Sequence, residues 1–275
     1  MKYIVKVFRK LRDLWSYLVV YSIMIGLGIV VLFLILLILV TSGKLFGYCI
    51  PMIMYIIVIF IFKIGNRVKV EGYKNIPRGE VNLFFFNHQT LIDSFPIVYG
   101  TVSFWDMLFH QNRIPINIPE FSNFYRNKIL RILFWALKTR PISRETVSQG
   151  KIEKDADTLS KILTEEKLSL ILFFAGTREG SGKKQNCKIG PILTVLKARP
   201  KYFIPGRLVN IEPIMPPKYG SKINLRINMG KRGKVIFGKP VSLEQFYDEP
   251  YSWESAMRKK DAIAALIEKS VAELK

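Results

Sequence analysis

His88 and Asp93 stand five residues apart in "NHQTLID", directly after the apolar run "VNLFFF". A neutral imidazole takes up a proton near pH 7 when a carboxylate fixes its tautomer, so the pair suits a general base and its orienter. Asp93 is near enough in sequence to reach His88 from a turn or the first turn of a helix. A histidine and an aspartate at this separation also arise by chance, so the pair takes its meaning from its surroundings. His110, the only other histidine, lacks such a setting and reads as a structural or surface residue.

Two further stretches could bind an anion. In "FFAGTREGSGKKQNCKIG", Phe173 to Gly190, an apolar run enters Gly176, Thr177 and Arg178. Glycines let a backbone approach an anion closely, and arginine holds phosphate with two parallel hydrogen bonds. The stretch lacks the GKS or GKT ending of a phosphate-binding P-loop, so nucleotide hydrolysis is not indicated. "KTRPISR", Lys138 to Arg144, is a basic connection holding Arg140 and Arg144. Cys49 and Cys187 form no CxxC or clustered His/Cys spacing. They read as free thiols, with neither a disulfide framework nor a metal site.

These residues need a scaffold, and the patterning after Val68 supplies one. "VKVEGYKNIP" reads as a short strand and a turn. Val81–Phe86, Leu168–Gly176 and Lys201–Asn210 are near-continuous apolar runs, as in strands buried on both faces. Ile223, Leu225, Ile227 and Met229 alternate as in a half-exposed strand, and "KVIFGKPV" is another strand. Helical spacing appears over Lys128–Leu137, Lys151–Glu166 and Trp253–Leu274. Strands alternating with helices predict one α/β domain, a mixed sheet flanked by helices. His88 and Arg178 then follow buried strands, where sites form in such sheets.

The N-terminal part is different. Ser16–Val40 carries no charged side chain, and roughly 20 apolar residues span a bilayer as a helix. A second run, Leu45–Phe62, contains Pro51. The first run is too long for a signal peptide's apolar region. Basic residues precede the first run and follow the second, which places both flanks on the cytoplasmic side. The expected organisation is a membrane anchor of two hydrophobic helices over residues 1–67 and a cytoplasmic-side catalytic domain over 68–275. A spanning hairpin and a one-leaflet wedge both satisfy this pattern. The net charge of +21 suits nucleic acid or an anionic membrane surface. No helix-turn-helix, RNP or zinc signature supports nucleic acid.

In order along the chain, "NHQTLID", "TRPISR", "FFAGTREGSG…CKIG" and "YFIPGRL" resemble the four blocks of the glycerolipid acyltransferases, over roughly Val68 to Leu208. The resemblance implies transfer of an acyl group from a thioester of coenzyme A or acyl carrier protein to a lysophospholipid or glycerol-phosphate hydroxyl. 1-Acylglycerol-3-phosphate is the acceptor best matched. It implies His88 as base and Asp93 as its orienter, with no cofactor, no metal and no serine nucleophile. Arg144, Gly176, Thr177 and Arg178 match the family's acceptor-phosphate positions, and Pro205 matches the fourth block, which helps shape a substrate pocket. Lys188 and Gly190 match a less specific extension of the third block. Two departures stand out. Ala175 occupies the position of the family's third-block glutamate, with Phe174 for its proline. An atypical acceptor, a displaced carboxylate from Glu179, or a variant of weakened turnover would each account for it. The basic residue the family often places between Asp93 and Arg144 has Arg113 as its candidate. The alternative to an active enzyme is a weakened or inactive relative that binds membrane lipids.

Overall fold

The computed structural model describes residues 22, 24–34, 43–121, 125–126, 128–142, 148–179, 185–216 and 227–275. The chain divides into two compact units, Met1–Ile53 and Met54–Lys275. In the first unit residues 24–34 are helical (α1), with Ile25 and Phe33 well exposed. A second helix, α2 (Gly43–Val58), contains Pro51 and runs across the division. Among the described residues no helix is long and apolar enough to cross a membrane. Of the expected first anchor helix, only residue 22 and residues 24–34 are described. The second expected run continues past α2 into a π-helical turn, Ile59–Gly65. There Val58 and Phe62 pack in a core cluster with Phe84, Phe86 and Ile97.

The second unit is built on one sheet. Its strands are β1 (Lys69–Glu71), β2 (Leu83–Phe86), β3 (Ile116–Asn117), β4 (Leu170–Phe173), β5 (Tyr202–Val209), β6 (Lys234–Phe237) and β7 (Val241–Ser242). The order is β1-β6-β5-β2-β4-β3, with β7 on β5. β2 runs parallel to β4 and β5, and β5 runs antiparallel to β6 and β7, so the sheet is mixed as its pattern predicts. β2 lies in the interior of the order and is covered on both faces, which is why all four of its residues are apolar and buried.

Alternation along the strands sorts the core into two layers. Leu83, Phe85, Leu170, Leu172 and Phe203 pack with apolar side chains of α6 (Gln149–Thr164), α7 (Ile189–Ala198) and α8 (Trp253–Ala272). Phe84, Phe86, Ile171, Ile204 and Leu208 pack on the other face with Ile97 of α3 (Ser94–Thr101). Edge-to-face rings lock both layers: Phe85 on Phe203 at 5.4 Å and Phe86 on Phe237 at 5.5 Å between centroids. A Cβ at Gly206 would lie 2.0 Å from the Phe86 ring, so glycine there makes room for that ring. Serine side chains cap helix starts: Ser148 accepts from the Lys151 N–H, and Ser252 forms a capping box with Ser255.

Two further short helices are α4 (Phe104–Phe109) and α5 (Lys128–Ala136). The sequence pattern did not mark α3, α4, α7 or β3. The expected strand over Ile223–Met229 lies outside the described residues up to 226, and 227–229 are not in a strand.

Candidate active site

The parallel register sets Phe86 of β2 beside Phe173 of β4. The segments after these two strands therefore emerge at the same edge of the sheet. One carries Asn87 and His88; the other carries Ala175, Gly176, Thr177, Arg178 and Glu179. They are joined directly, since the Glu179 N–H donates to the His88 carbonyl at 2.6 Å.

His88 and Asp93 meet as their spacing suggested. His88 Nδ1 lies 2.8 Å from Asp93 Oδ2. A carboxylate only accepts, so the proton sits on Nδ1 and the lone pair of Nε2 is left for chemistry. Asp93 is 1 % exposed and His88 19 %, an orienter out of solvent beneath a reachable ring. The same Oδ2 accepts from the Gln89 and Thr90 N–H groups, and Oδ1 accepts from the Thr90 hydroxyl at 2.7 Å. Three donors thus fix one carboxylate, and it fixes the imidazole in turn. The other side of the ring is set by Phe173, stacked at 4.2 Å between centroids and 17° between planes.

A second network, unmarked in the sequence, holds the residues on either side of His88. Asn87 Nδ2 donates to the Leu208 carbonyl at 3.0 Å, and Asn87 Oδ1 accepts from the Leu208 N–H at 2.7 Å. Gln89 reaches the same carbonyl and accepts from the Ile211 N–H. Both amides also donate to one carboxylate, Asn87 to Glu179 Oε1 at 2.9 Å and Gln89 to Oε2 at 3.0 Å. Glu179 thus spends hydrogen bonds on the loop that carries His88. Its partners lie about ninety residues away in sequence, so no local spacing could have revealed them.

Gly176 has φ +63, the left-handed region that glycine adopts without strain. It closes the turn after β4 through its N–H to the Phe173 carbonyl at 2.9 Å. Thr177 and Arg178 follow half-buried. Lys188 donates its N–H to the Phe174 carbonyl at 2.9 Å and is the residue from which α7 starts. An apolar cavity of about 390 Å³ opens here. Its lining includes Ala175, Gly176, Thr177, Lys188, Gly190 and Ile142. The end of β4 borders both features, because Phe173 stacks on His88 and also lines this cavity.

Other expected site residues fall elsewhere. Pro205 is buried within β5, opposite Phe85 of β2, and is not among the residues lining the cavity. Arg144 lies outside the described residues. Arg113 pairs with Asp106 at 2.6 Å. Both line a larger groove with Asn82 and Ser169, which precede β2 and β4, so they sit at the other end of the strands. Ala175 is 1 % exposed and belongs to the apolar core. His110 is exposed at the end of α4. Burial, with the nearby Glu268 carboxylate adding to it, pushes the Cys187 thiol up to about 12, which suits an inert side chain. No group of acidic, histidine and cysteine side chains able to hold a metal occurs among the described residues.

A histidine oriented by a buried carboxylate suits proton removal from a substrate hydroxyl. The acyltransferase family matches residues 67–214, more than half of the chain, and the chain belongs to that family. The resemblance to the glycerolipid acyltransferases is thereby borne out. Among solved structures, the crystal structure of the 1-acyl-sn-glycerophosphate (LPA) acyltransferase PlsC from Thermotoga maritima is similar, with a TM-score of 0.52 and 19 % identity. The match covers 88 % of this chain and 88 % of that one, and it shows a shared fold. No curated protein matches the chain.

Proposed function

We propose that the chain is a membrane-associated 1-acylglycerol-3-phosphate O-acyltransferase, or a close lysophospholipid acyltransferase. The observation that carries this reading is the His88–Asp93 pair, 2.8 Å apart, at the sheet edge shared with Gly176, Thr177 and Arg178. His88 Nε2 takes the proton of the acceptor hydroxyl as its oxygen attacks the thioester carbonyl. Asp93 holds the tautomer and offsets the charge of the imidazolium. The tetrahedral intermediate expels the thiolate of coenzyme A or acyl carrier protein. The imidazolium returns its proton to that sulfur, leaving ester and thiol. The acceptor is itself the nucleophile, so no covalent acyl-enzyme forms.

Arg178, with Thr177 and the turn at Gly176, is the side of the site suited to the acceptor phosphate. The apolar cavity suits a hydrocarbon chain. The uncharged run Ser16–Val40 and the charge of +21 support a site held at an anionic membrane with its donor on the cytoplasmic side.

One experiment tests the whole reading. The purified chain is supplied with mixed lysolipid and glycerol-phosphate acceptors and with both thioester donors, and products are identified by lipid mass spectrometry. Acylated product that disappears in His88→Ala is expected. Product formation that survives His88→Ala sinks the mechanism.

Ala175 favours a second reading, a family member of weakened turnover that binds lipid. No acyl product from any acceptor, together with retained lipid binding, would support it.

A further inference from the structure

α5 leaves the domain beside the cavity and turns one face outward. The excursion starts at Glu120 and returns at Ile142, two residues bridged to each other. The Phe121 N–H donates to the Ile142 carbonyl at 2.9 Å, and the Ile142 N–H donates to the Pro119 carbonyl at 3.0 Å. Pro119, Glu120 and Ile142 all line the apolar cavity, so α5 is mounted on its rim.

The side chains of Lys128, Arg131, Ile132 and Trp135 are all exposed, Ile132 by 54 % and Trp135 by 64 %. Positions three and four apart share one face of a helix. Phe134 is half-buried by comparison. Phe134 packs with its ring 6.2 Å from that of Tyr125, whose hydroxyl bonds Thr139 at 2.6 Å. The outward face is thus a pair of large apolar side chains beside two cations. An aromatic ring with a polar N–H belongs at a membrane–water boundary, and lysine and arginine belong beside anionic headgroups. At roughly 1.5 Å per residue this nine-residue helix is far too short to cross a bilayer. It has the form of a helix that lies in the interface plane. α4 also exposes aromatic rings, Trp105 and Phe109, but it carries Asp106 paired with Arg113 and has no lysine or arginine of its own.

We propose that this face of α5 docks on an anionic bilayer surface, seating Trp135 and Ile132 among the upper acyl segments and Lys128 and Arg131 at the phosphates. The rim of the cavity then opens at the level where a lysolipid resides. This docking rests on the reading that the acceptor is a membrane lipid, and its test separates the two.

The chain has four tryptophans. Trp15, Trp105 and Trp253 are replaced by phenylalanine, leaving Trp135 in the full-length chain. The protein is reconstituted in phosphatidylcholine vesicles with and without phosphatidylglycerol, using lipids brominated at different depths. Strong quenching of Trp135 by bromine near the carbonyl end is expected in the anionic vesicles. Lys128→Gln with Arg131→Gln should weaken its dependence on anionic lipid about tenfold or more. Trp135 emission that no brominated lipid quenches overturns the proposal, including the case where a second copy of the chain covers the face.

In the wild-type background, Ile132→Asn with Trp135→Asn should lower turnover about tenfold on a vesicle-embedded acceptor. Turnover on a short-chain, water-soluble acceptor should stay within about twofold. Equal turnover, or an equal loss, on both acceptors overturns the docking. A parent chain with no acyl transfer at all overturns the enzymatic reading and leaves the quenching result to stand by itself.

Discussion

Asp93→Asn isolates the charge of the orienter from its geometry. Asparagine can place its Oδ1 where Asp93 Oδ2 accepts from His88, Gln89 and Thr90. Its Nδ2 then faces the Thr90 hydroxyl, which turns from donor to acceptor. The loop and the tautomer survive, and the negative charge is lost. His88 Nδ1 and the carboxylate oxygen are 2.8 Å apart. With charge centres about 4 Å apart and an effective dielectric constant near 20, the imidazolium loses about 4 kcal/mol of stabilisation. At about 1.4 kcal/mol per decade that is a roughly thousandfold fall in kcat. KM for the acceptor should hardly move, because the interaction grows only as the proton arrives. The assay follows release of free thiol from an acyl thioester with lysophosphatidic acid as acceptor. Thermal unfolding of the variant, run beside it, reports whether the fold is kept. A folded Asp93→Asn enzyme that retains more than about a tenth of wild-type kcat would refute the assignment of Asp93 as the charged partner of a base.

Three other perturbations test the surrounding structure. Glu179→Gln leaves one acceptor for the two amides of Asn87 and Gln89. It should cost about 1–3 kcal/mol of stability and lower kcat more than it raises KM; an unchanged kcat would separate the Glu179 clamp from His88. Ala175→Glu places a carboxylate where the side chain is 1 % exposed. It should destabilise by about 2–4 kcal/mol and fail to raise turnover, whereas a clear rise would favour the weakened-site reading. With its thiol pushed up to about 12, Cys187 should react with iodoacetamide at pH 8 roughly a thousandfold more slowly than an ordinary cysteine. Its rate should climb about tenfold per pH unit, because only the thiolate reacts. Mass-spectrometric labelling checks this, and rapid labelling at pH 8 contradicts the burial.

The parts of the fold visible in the sequence are those where burial dictates residue type over several positions. The apolar runs Val81–Phe86, Leu168–Gly176 and Lys201–Asn210 contain β2, β4 and β5, because a strand covered on both faces is mostly apolar. α7 escaped notice because "IGPILTVLKA" has glycine and proline in its first turn and buries five successive residues, which erases the helical period. β3 has two residues, too few for any period. At the site, His88 and Asp93 were legible because their contact is local. The roles of Asn87, Gln89 and Glu179 were not, because tertiary register brings them together. Pro205 shows the opposite case. Its place in the fourth block marks the chain as a relative, while its position opposite Phe85 gives it a part in the sheet.

The Asn87 amide has a consequence for how His88 is held. It exchanges one hydrogen bond in each direction with the Leu208 backbone, as a peptide unit of a neighbouring strand would. The ladder between β2 and β5 therefore extends one rung in side-chain atoms after the main chain has turned away. Leu208 feels an unbroken sheet, while the backbone of His88 is released from strand dihedrals and free to turn. The base borrows the stiffness of a strand without lying in one. Asn87→Asp would break half of that rung by taking away its donor, and would set a second carboxylate against Glu179. The loop would then be loosened from the sheet side, with every contact between His88 and Asp93 still chemically available.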